Sequence, residues 1–464
     1  MKFHRVMRLL VSLGALAAPA SLSAQAFGLN EIGSCAIARG YATTASPCLD
    51  ASAIYWNSAA TTRLTGWSVS AGGAAIAIKG AFTQDTTGAR FNANVPTKFV
   101  PHAFINYHSP SSKAAWGIGF YVPYGLTSEW GADFPGRFEA QKASLATFYV
   151  QPNLAWQLTP KWSIGGGPVI GHSSVELVQA QDLSQQFTGA GGPTFGQLGV
   201  AAGTEFAVAR LKGSAMAYGA QVAIAGQPTP AWSVGIRFLS PLTFKYDDAD
   251  ATFTQVPTSL VIGGTVQAPF TAGTPIDALL APEFASGGPL VAQKASTEIT
   301  HPAQVQAGIG YSGYRNWLLE ADYAWVGYKR FNTLPLSFSG STLLNRTLIE
   351  DYNNSSAIRL GAEYTIPSDG WKLRAGFAGV ASAAPPETVT PLLPEQDRTY
   401  WTLGAGIPVM RRWTLDGSYA HVGTPGARGR IVERTLASQT AAQLNTGVYT
   451  LSANVFSFTF KASF

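Results

Sequence analysis

The end of the chain alternates strictly: Phe456, Phe458, Phe460, Ala462 and Phe464 occupy one set of positions and Ser457, Thr459, Lys461 and Ser463 the other. A period of two puts successive side chains on opposite faces of a strand, so one face meets an apolar medium and the other a polar one. Protein core and lipid both satisfy that demand. The pattern recurs along the chain, as in Trp232, Val234, Ile236 and Phe238 against Ser233, Gly235 and Arg237.

Six tight turn signals run directly into a tryptophan, at Trp116, Trp162, Trp232, Trp317, Trp371 and Trp413. Indole has an apolar body and one polar N–H, so tryptophan at one height on successive hairpins suits a membrane interface. Scattered core tryptophans are the alternative reading. Seven long irregular stretches alternate with these turns, at about residues 81–96, 123–142, 179–213, 246–296, 330–353, 381–397 and 422–446. Thirteen connections join fourteen strands, and the last strand is expected to close on the first near "GWSVSAGGAAIAI". The predicted fold is all-β: a 14-stranded antiparallel transmembrane β-barrel, closed because lipid cannot satisfy a sheet edge. Glu320, Asp322, Arg359, Glu363, Lys372 and Arg374 fall on the polar alternate positions and are expected to face the lumen.

Composition supports the barrel, with 12% charged residues beside 49 Gly, 12 Trp, 17 Tyr and 25 Phe in 464 residues. No stretch is long and apolar enough for a membrane helix. The N-terminus carries Lys2, Arg5 and Arg8, then "LLVSLGALAAPA", then small residues, which reads as a secretory signal over 1–24 with cleavage after Ala24 or after Ala26. Without the signal, 28 basic residues face 26 acidic ones, and no basic patch marks a nucleic-acid surface. Cys35 and Cys48 are the only cysteines, and in an exported chain they are expected to pair, two free thiols being the alternative.

About 40 residues separate the signal from the first strand. They are too irregular for a strand and too apolar for a tail, so residues 25–65 are expected to fill the lumen as a hatch ahead of a barrel over 66–464; a small periplasmic cap is the alternative.

Four stretches resemble the outer-membrane long-chain fatty acid and aromatic hydrocarbon transporters (FadL-like). "FGLNEIGSCAIARGYA" looks like the start of that family's hatch, and "YWNSAA" like its Asn-Pro-Ala hatch motif with Ser58 in place of proline. "YVPYGLTSEW" resembles the start of its first substrate loop, and "LPEQDRTYWTLGAG" its late Pro-(Asp/Glu)-x-Asp-Arg strand start. The resemblance implies passive uptake of hydrophobic compounds, by capture at extracellular loops, a pocket beside the hatch and lateral release where the third strand kinks. It implies hatch roles for Asn30, Glu31, Asn57, Ser58 and Ala59, and substrate contacts for Phe27, Leu29 and Trp130. The expected partners are fatty acids or hydrocarbons, outer-membrane lipid and the barrel assembly machinery, in the outer membrane of a Gram-negative bacterium.

Within "AAWGIGFYVPYGLTSEW", Pro123 cannot donate a ladder hydrogen bond and Gly125 weakens pairing, so the third strand should bend or end there. Phe120, Tyr121, Tyr124 and Leu126 are the candidates for lining the path; the plain alternative is that Pro123 ends the strand at the outer rim. A carboxylate substrate would want a lumenal cation such as Arg359, Arg374 or Arg398, though these can equally balance Glu320, Asp322, Glu363 and Asp416. No enzyme, cofactor or metal is expected. "GIGYSG" fits G-x-G-x-x-G but runs into a strand pattern, and the five mature histidines show no metal-ligand spacing. A barrel phospholipase and a hydrophilic diffusion porin are the competing classes, and the hatch argues against both.

Overall fold

The computed structural model describes residues 26–188, 192–263, 271–429 and 446–464. The signal segment expected over residues 1–24 lies outside them. Fourteen antiparallel strands form one closed wall. They are β1 (Gly66–Gln84), β2 (Lys98–His108), β3 (Ala114–Tyr121, resuming at Gly125–Glu129), β4 (Lys142–Thr159), β5 (Trp162–Asp182), β6 (Glu205–Thr229) and β7 (Trp232–Leu239 and Leu242–Gln255). β8 (Gln293–His301 and Gln304–Tyr311), β9 (Trp317–Val326), β10 (Ser355–Thr365), β11 (Lys372–Val380), β12 (Arg398–Met410), β13 (Trp413–Gly423) and β14 (Gly447–Ser463) complete it. β14 pairs with β1 from Ser68↔Ser463 to Gln84↔Gly447, so the ring has no free edge.

The alternation sorts as lipid requires. Phe456, Phe458 and Phe460 are exposed on the outside, while Ser457 and Thr459 are buried within. All six turn tryptophans stand at the short-turn end, each exposed outward, where Trp67 joins them at 5.4 Å from Trp116 and Trp232 meets Tyr311 at 4.7 Å. Short turns mark the periplasmic end of such barrels, so this belt sits at the inner interface.

The wall is uneven in height. β5 and β6 run for 21 and 25 residues, β9 and β11 for 10 and 9. The long strands take residues that the irregular composition had marked as loop: the connection expected over about 179–213 is only 183–204, and that expected over about 246–296 is 256–292. Pairing with neighbours overrides weak local propensity there. A separate apolar cluster caps the tall side, where Leu183, Phe195, Phe206, Ile262, Ile276 and Leu280 gather around helix α3 (Ile276–Phe284).

Residues 26–64 lie inside the barrel rather than beneath it. Helices α1 (Ser34–Ala38) and α2 (Ala53–Trp56) and the 3-10 turn Ser58–Arg63 are almost wholly buried, and Cys35 is bonded to Cys48. They occupy the periplasmic half of the lumen as a hatch.

Candidate functional site

The hatch is held by the charges of the inner wall. Glu320 accepts the N–H groups of Ala45 and Ser46 at 2.7 and 3.1 Å and pairs with Arg39 at 2.5 Å. Asp322 accepts those of Thr43 and Thr44, both at 2.8 Å. Arg359 donates to Asn30 Oδ1 at 3.1 Å and to the Tyr41 carbonyl at 3.5 Å. A buried irregular segment must place its backbone N–H groups somewhere, and two wall carboxylates absorb four of them. Glycine supplies the space: a Cβ at Gly235 would lie 2.1 Å from the Thr44 carbonyl oxygen, and one at Gly376 2.1 Å from Gly40 N. Gly308 and Gly310 of "GIGYSG" face Ala45 and Ser46, which accounts for that motif without a nucleotide.

The turn lacking its proline is held by Asn57 instead. Its Oδ1 accepts the Ala59 N–H at 3.2 Å, and its Nδ2 donates to the carbonyls of Thr44 at 2.8 Å and Ile224 at 3.0 Å. Ser58 opens the 3-10 turn, its carbonyl accepting from Thr61 Oγ1.

β3 is broken at residues 122–124, and the start of the hatch meets the break. Leu29 N–H donates to the Pro123 carbonyl at 2.8 Å and Gly125 N–H to that of Phe27 at 2.9 Å, with Gly28 and Tyr124 paired antiparallel. Tyr124 turns inward, donating to the Pro302 carbonyl and accepting from Gln304 Nε2, both at 2.8 Å. Thus the break in β3 touches a second break, in β8. Phe27 sits among Tyr124, His301, Tyr328 and Phe331, with ring centroids 5.3 to 5.8 Å away. Tyr121 also points inward, donating to Gln151 at 2.6 Å. Phe120 faces outward and stacks on Phe148 at 5.7 Å, because the alternation holds as far as Tyr121; it forms the outer lip of the break and not its inner lining.

An apolar cavity of about 150 Å³ lies between this break and the inner faces of β1 and β12 to β14, lined by Leu29, Glu31, Leu126, Trp130, Arg398 and Tyr400 among others. Trp130 stacks on Phe134 at 4.5 Å and donates to Ser128 and the Pro391 carbonyl. Glu31 accepts from Tyr41 OH at 3.2 Å. Of the three arginines singled out in the sequence, only Arg398 borders this cavity, where it binds Glu395 at 2.7 Å and the Ala26 carbonyl at 3.1 Å. Burial raises the Glu395 carboxyl above its usual range, with Arg398 pulling the other way. Arg374 is bound to Glu363 and Asp416 at 2.7 and 3.0 Å and faces a periplasmic-side cavity of about 480 Å³ with Cys35 and Cys48; Arg359 serves the hatch.

Sequence reasoning passed over Arg237. It is fully buried, 4.2 Å above the Tyr55 ring, with one bond to Gln304 at 3.2 Å, and its Nε and Nη1 have no partner among the described residues. Its only signal was a lone charge on the inner face of an otherwise neutral strand piece. Among the described residues no cluster of His, Cys, Asp or Glu is placed to hold a metal.

Residues 15–464 match the family described as outer membrane protein transport protein (OMPP1/FadL/TodX). The long-chain fatty acid transport protein of Escherichia coli (strain K12) is 26% identical over 424 residues, covering 85% of this chain and 87% of that protein. A 47 kDa outer membrane protein of Pasteurella multocida is 24% identical over 403 residues, covering 87% and 88%. Among solved structures, a Pseudomonas aeruginosa FadL homologue superposes with a TM-score of 0.77 at 19% identity over 95% of this chain and all 100% of its own. The Ralstonia pickettii toluene transporter TbuX gives 0.62 at 18% identity over 95% and 99%. At such identities the structural likeness shows the shared fold. With the closed wall, the lumenal hatch and a family match that runs to the last residue, the chain belongs to the OMPP1/FadL/TodX family of outer-membrane transport proteins.

Proposed function

We propose that the protein takes up hydrophobic compounds passively, capturing them at its extracellular loops, holding them in the cavity beside the hatch and releasing them sideways through the wall. The observation that carries this is the unpaired stretch of β3 beside an apolar cavity, with the strand's free carbonyl and N–H bound by the hatch instead of by β2. Passage needs no covalent step. Apolar surface leaving water supplies about 25 cal/mol per Å², and a small cavity binds weakly enough to release. Outer-membrane lipid is the receiving phase, and the terminal strand with Phe464 is the part offered to the assembly machinery.

Long-chain fatty acids are the favoured cargo, since Arg398 borders the apolar cavity and Arg237, buried in the lumen, keeps two nitrogens without a partner among the described residues, so that a carboxylate has cations to seek. Aromatic hydrocarbons are the second reading, supported by the ring cluster around Phe27. The test is uptake of labelled oleate and labelled toluene by cells that make the protein, against cells that do not. Oleate uptake well above the control supports the first reading and toluene uptake the second. Uptake of neither, with ions conducted freely through the purified protein, would replace both with a porin.

A further inference from the structure

The outward face of β1 is apolar from Trp67 through Val69, Ala71, Gly73 and Ala75 to Ala77, and then changes abruptly to Lys79. Opposite, β14 changes one pair lower: Phe460, Phe458 and Phe456 lie beside Ala71, Gly73 and Ala75, then Asn454 beside Ala77 and Ser452 beside Lys79. Twelve residues of a strand tilted by about 40° lift Lys79 about 30 Å above the tryptophan belt, just past an apolar band about 25 Å tall. That is the level of the outer-leaflet headgroups.

A short strand, Arg90–Asn92, pairs with the top of β1, placing Arg90 beside Thr83 and Asn92 beside Ala81. Lys79, Arg90, Asn92, Thr450 and Ser452 line one outward cavity of about 410 Å³. Both cations are exposed, and neither has an ion pair or a side-chain hydrogen bond among the described residues. Several other high cations are matched, Arg210 with Glu176, Lys294 with Asp248 and Asp250, and Arg428 with Asp85, whereas Lys212, Lys329 and Arg330 have no ion pair among the described residues but do not line this cavity. Two unmatched cations with amide and hydroxyl donors between them, and no carboxylate lining the cavity, make an anion site.

We infer that this cavity binds the headgroup of a phosphorylated lipid of the outer leaflet. The apolar band directly below requires a ligand whose phosphate is attached to acyl chains. The backbones of Lys79 and Arg90 stand about 13 Å apart along the wall, four strand residues, which leaves room for each cation to seat a phosphate of its own. The chemistry that fits is a glycolipid with two phosphates, one seated on each cation, with Asn92, Thr450 and Ser452 serving the sugar between.

Native mass spectrometry of the full-length purified protein with added diphosphoryl lipid A tests this. Wild type should retain the lipid about tenfold better than the Lys79→Gln/Arg90→Gln double variant, the factor expected for losing charge-assisted hydrogen bonds. The Lys79→Arg/Arg90→Lys variant should retain it as wild type does, and monophosphoryl lipid A should fall between. Both positions are exposed, and heat-modifiability on gels checks that every variant is folded. Equal retention by wild type and the folded double variant would overturn the site. Equal retention of mono- and diphosphoryl lipid A would overturn the two-seat assignment, and displacement of the lipid by inorganic phosphate at equal concentration would overturn its lipid character.

Discussion

Two seams border the first hairpin of the wall, and they are built differently. The β14–β1 seam is paired at 17 positions, from Ser68↔Ser463 to Gln84↔Gly447, and neither strand contains proline. The β2–β3 seam is paired at six, from Ala103↔Phe120 to His108↔Ala115, with Pro101 and Pro123 flanking the point where it stops. Both seams face lipid with the same alternation, so side-chain patterning does not distinguish them. Backbone hydrogen-bonding capacity does. Opening a wall inside a bilayer strands polar backbone groups at several kcal/mol each unless they find partners. Here Leu29 and Phe27 of the hatch supply them from within. The seam loses its ladder there and is satisfied from the lumen instead.

The strongest way to break the contrast is to lock the open seam. A Gly28→Cys/Tyr124→Cys pair, placed at the antiparallel bridge between hatch and β3, should abolish uptake of the hydrophobic substrate when oxidised and restore it on reduction. The reduced form controls for the lost Tyr124 hydrogen bonds. Normal uptake in the oxidised form would count against a lateral path. Gly117 and Gly119 are poorer sites for a block, because both lie against Ile54 of the hatch and a larger side chain there would disturb the plug itself.

Next in size is the hatch that satisfies the open seam. Glu320→Ala leaves the Ala45 and Ser46 N–H groups unmatched and Arg39 buried without its partner, at a cost of about 3–5 kcal/mol. Single-channel recordings should then show ion conductance that the wild type lacks, with the barrel still heat-modifiable. A silent channel would mean that the other contacts hold the plug unaided.

The closed seam can be tested at its lower end, where Phe464 N–H and carbonyl both bond to Trp67. Phe464→Asp puts a charge at the inner interface, costing less than about 1 kcal/mol there, and should lower the yield of folded barrel in the outer membrane. The smallest effect is expected far from both seams. The Asp277 carboxylate accepts from Thr258 and Ser259, and these bonds outweigh partial burial and hold it below its usual pKa. That contribution is present above about pH 4 and fades as the pH falls through the lowered value. The protection of the Thr258 and Ser259 amides against hydrogen exchange, relative to the intrinsic rate at each pH, should fall on acidification or in Asp277→Ala, while uptake stays unchanged.

The strand count and the tryptophan belt were legible because a two-residue period and a turn signal are local, and the lumenal position of the N-terminal segment because an apolar stretch without a strand period needs a place out of water. The break at Pro123 was legible for the same reason. What the break does was not, since its partners at Phe27 and Leu29 lie almost a hundred residues earlier. The hatch contacts were hidden in a similar way: Glu320 and Ala45 are 275 positions apart, and nothing near either residue announces the other. Arg374 and Arg398 look alike on their strands, yet three-dimensional pairing sends one to an ion-pair network and leaves the other beside the cavity. The breaks in β7 and β8 carried Pro241 and Pro302 as signals that passed without notice.

The unequal height of the wall has a consequence of its own. β6, at 25 residues, climbs about 60 Å, whereas β11, at nine, climbs about 23 Å, no more than the hydrocarbon it crosses. Outside a bacterial outer membrane lies a hydrated carpet of sugar chains, which oily molecules enter poorly. A cylinder cut obliquely, with its high rim crowned by the apolar cluster around α3, rises through that carpet like a jetty. On the uptake route proposed above, an oily molecule would meet protein at that rim before it had to dissolve in the sugar.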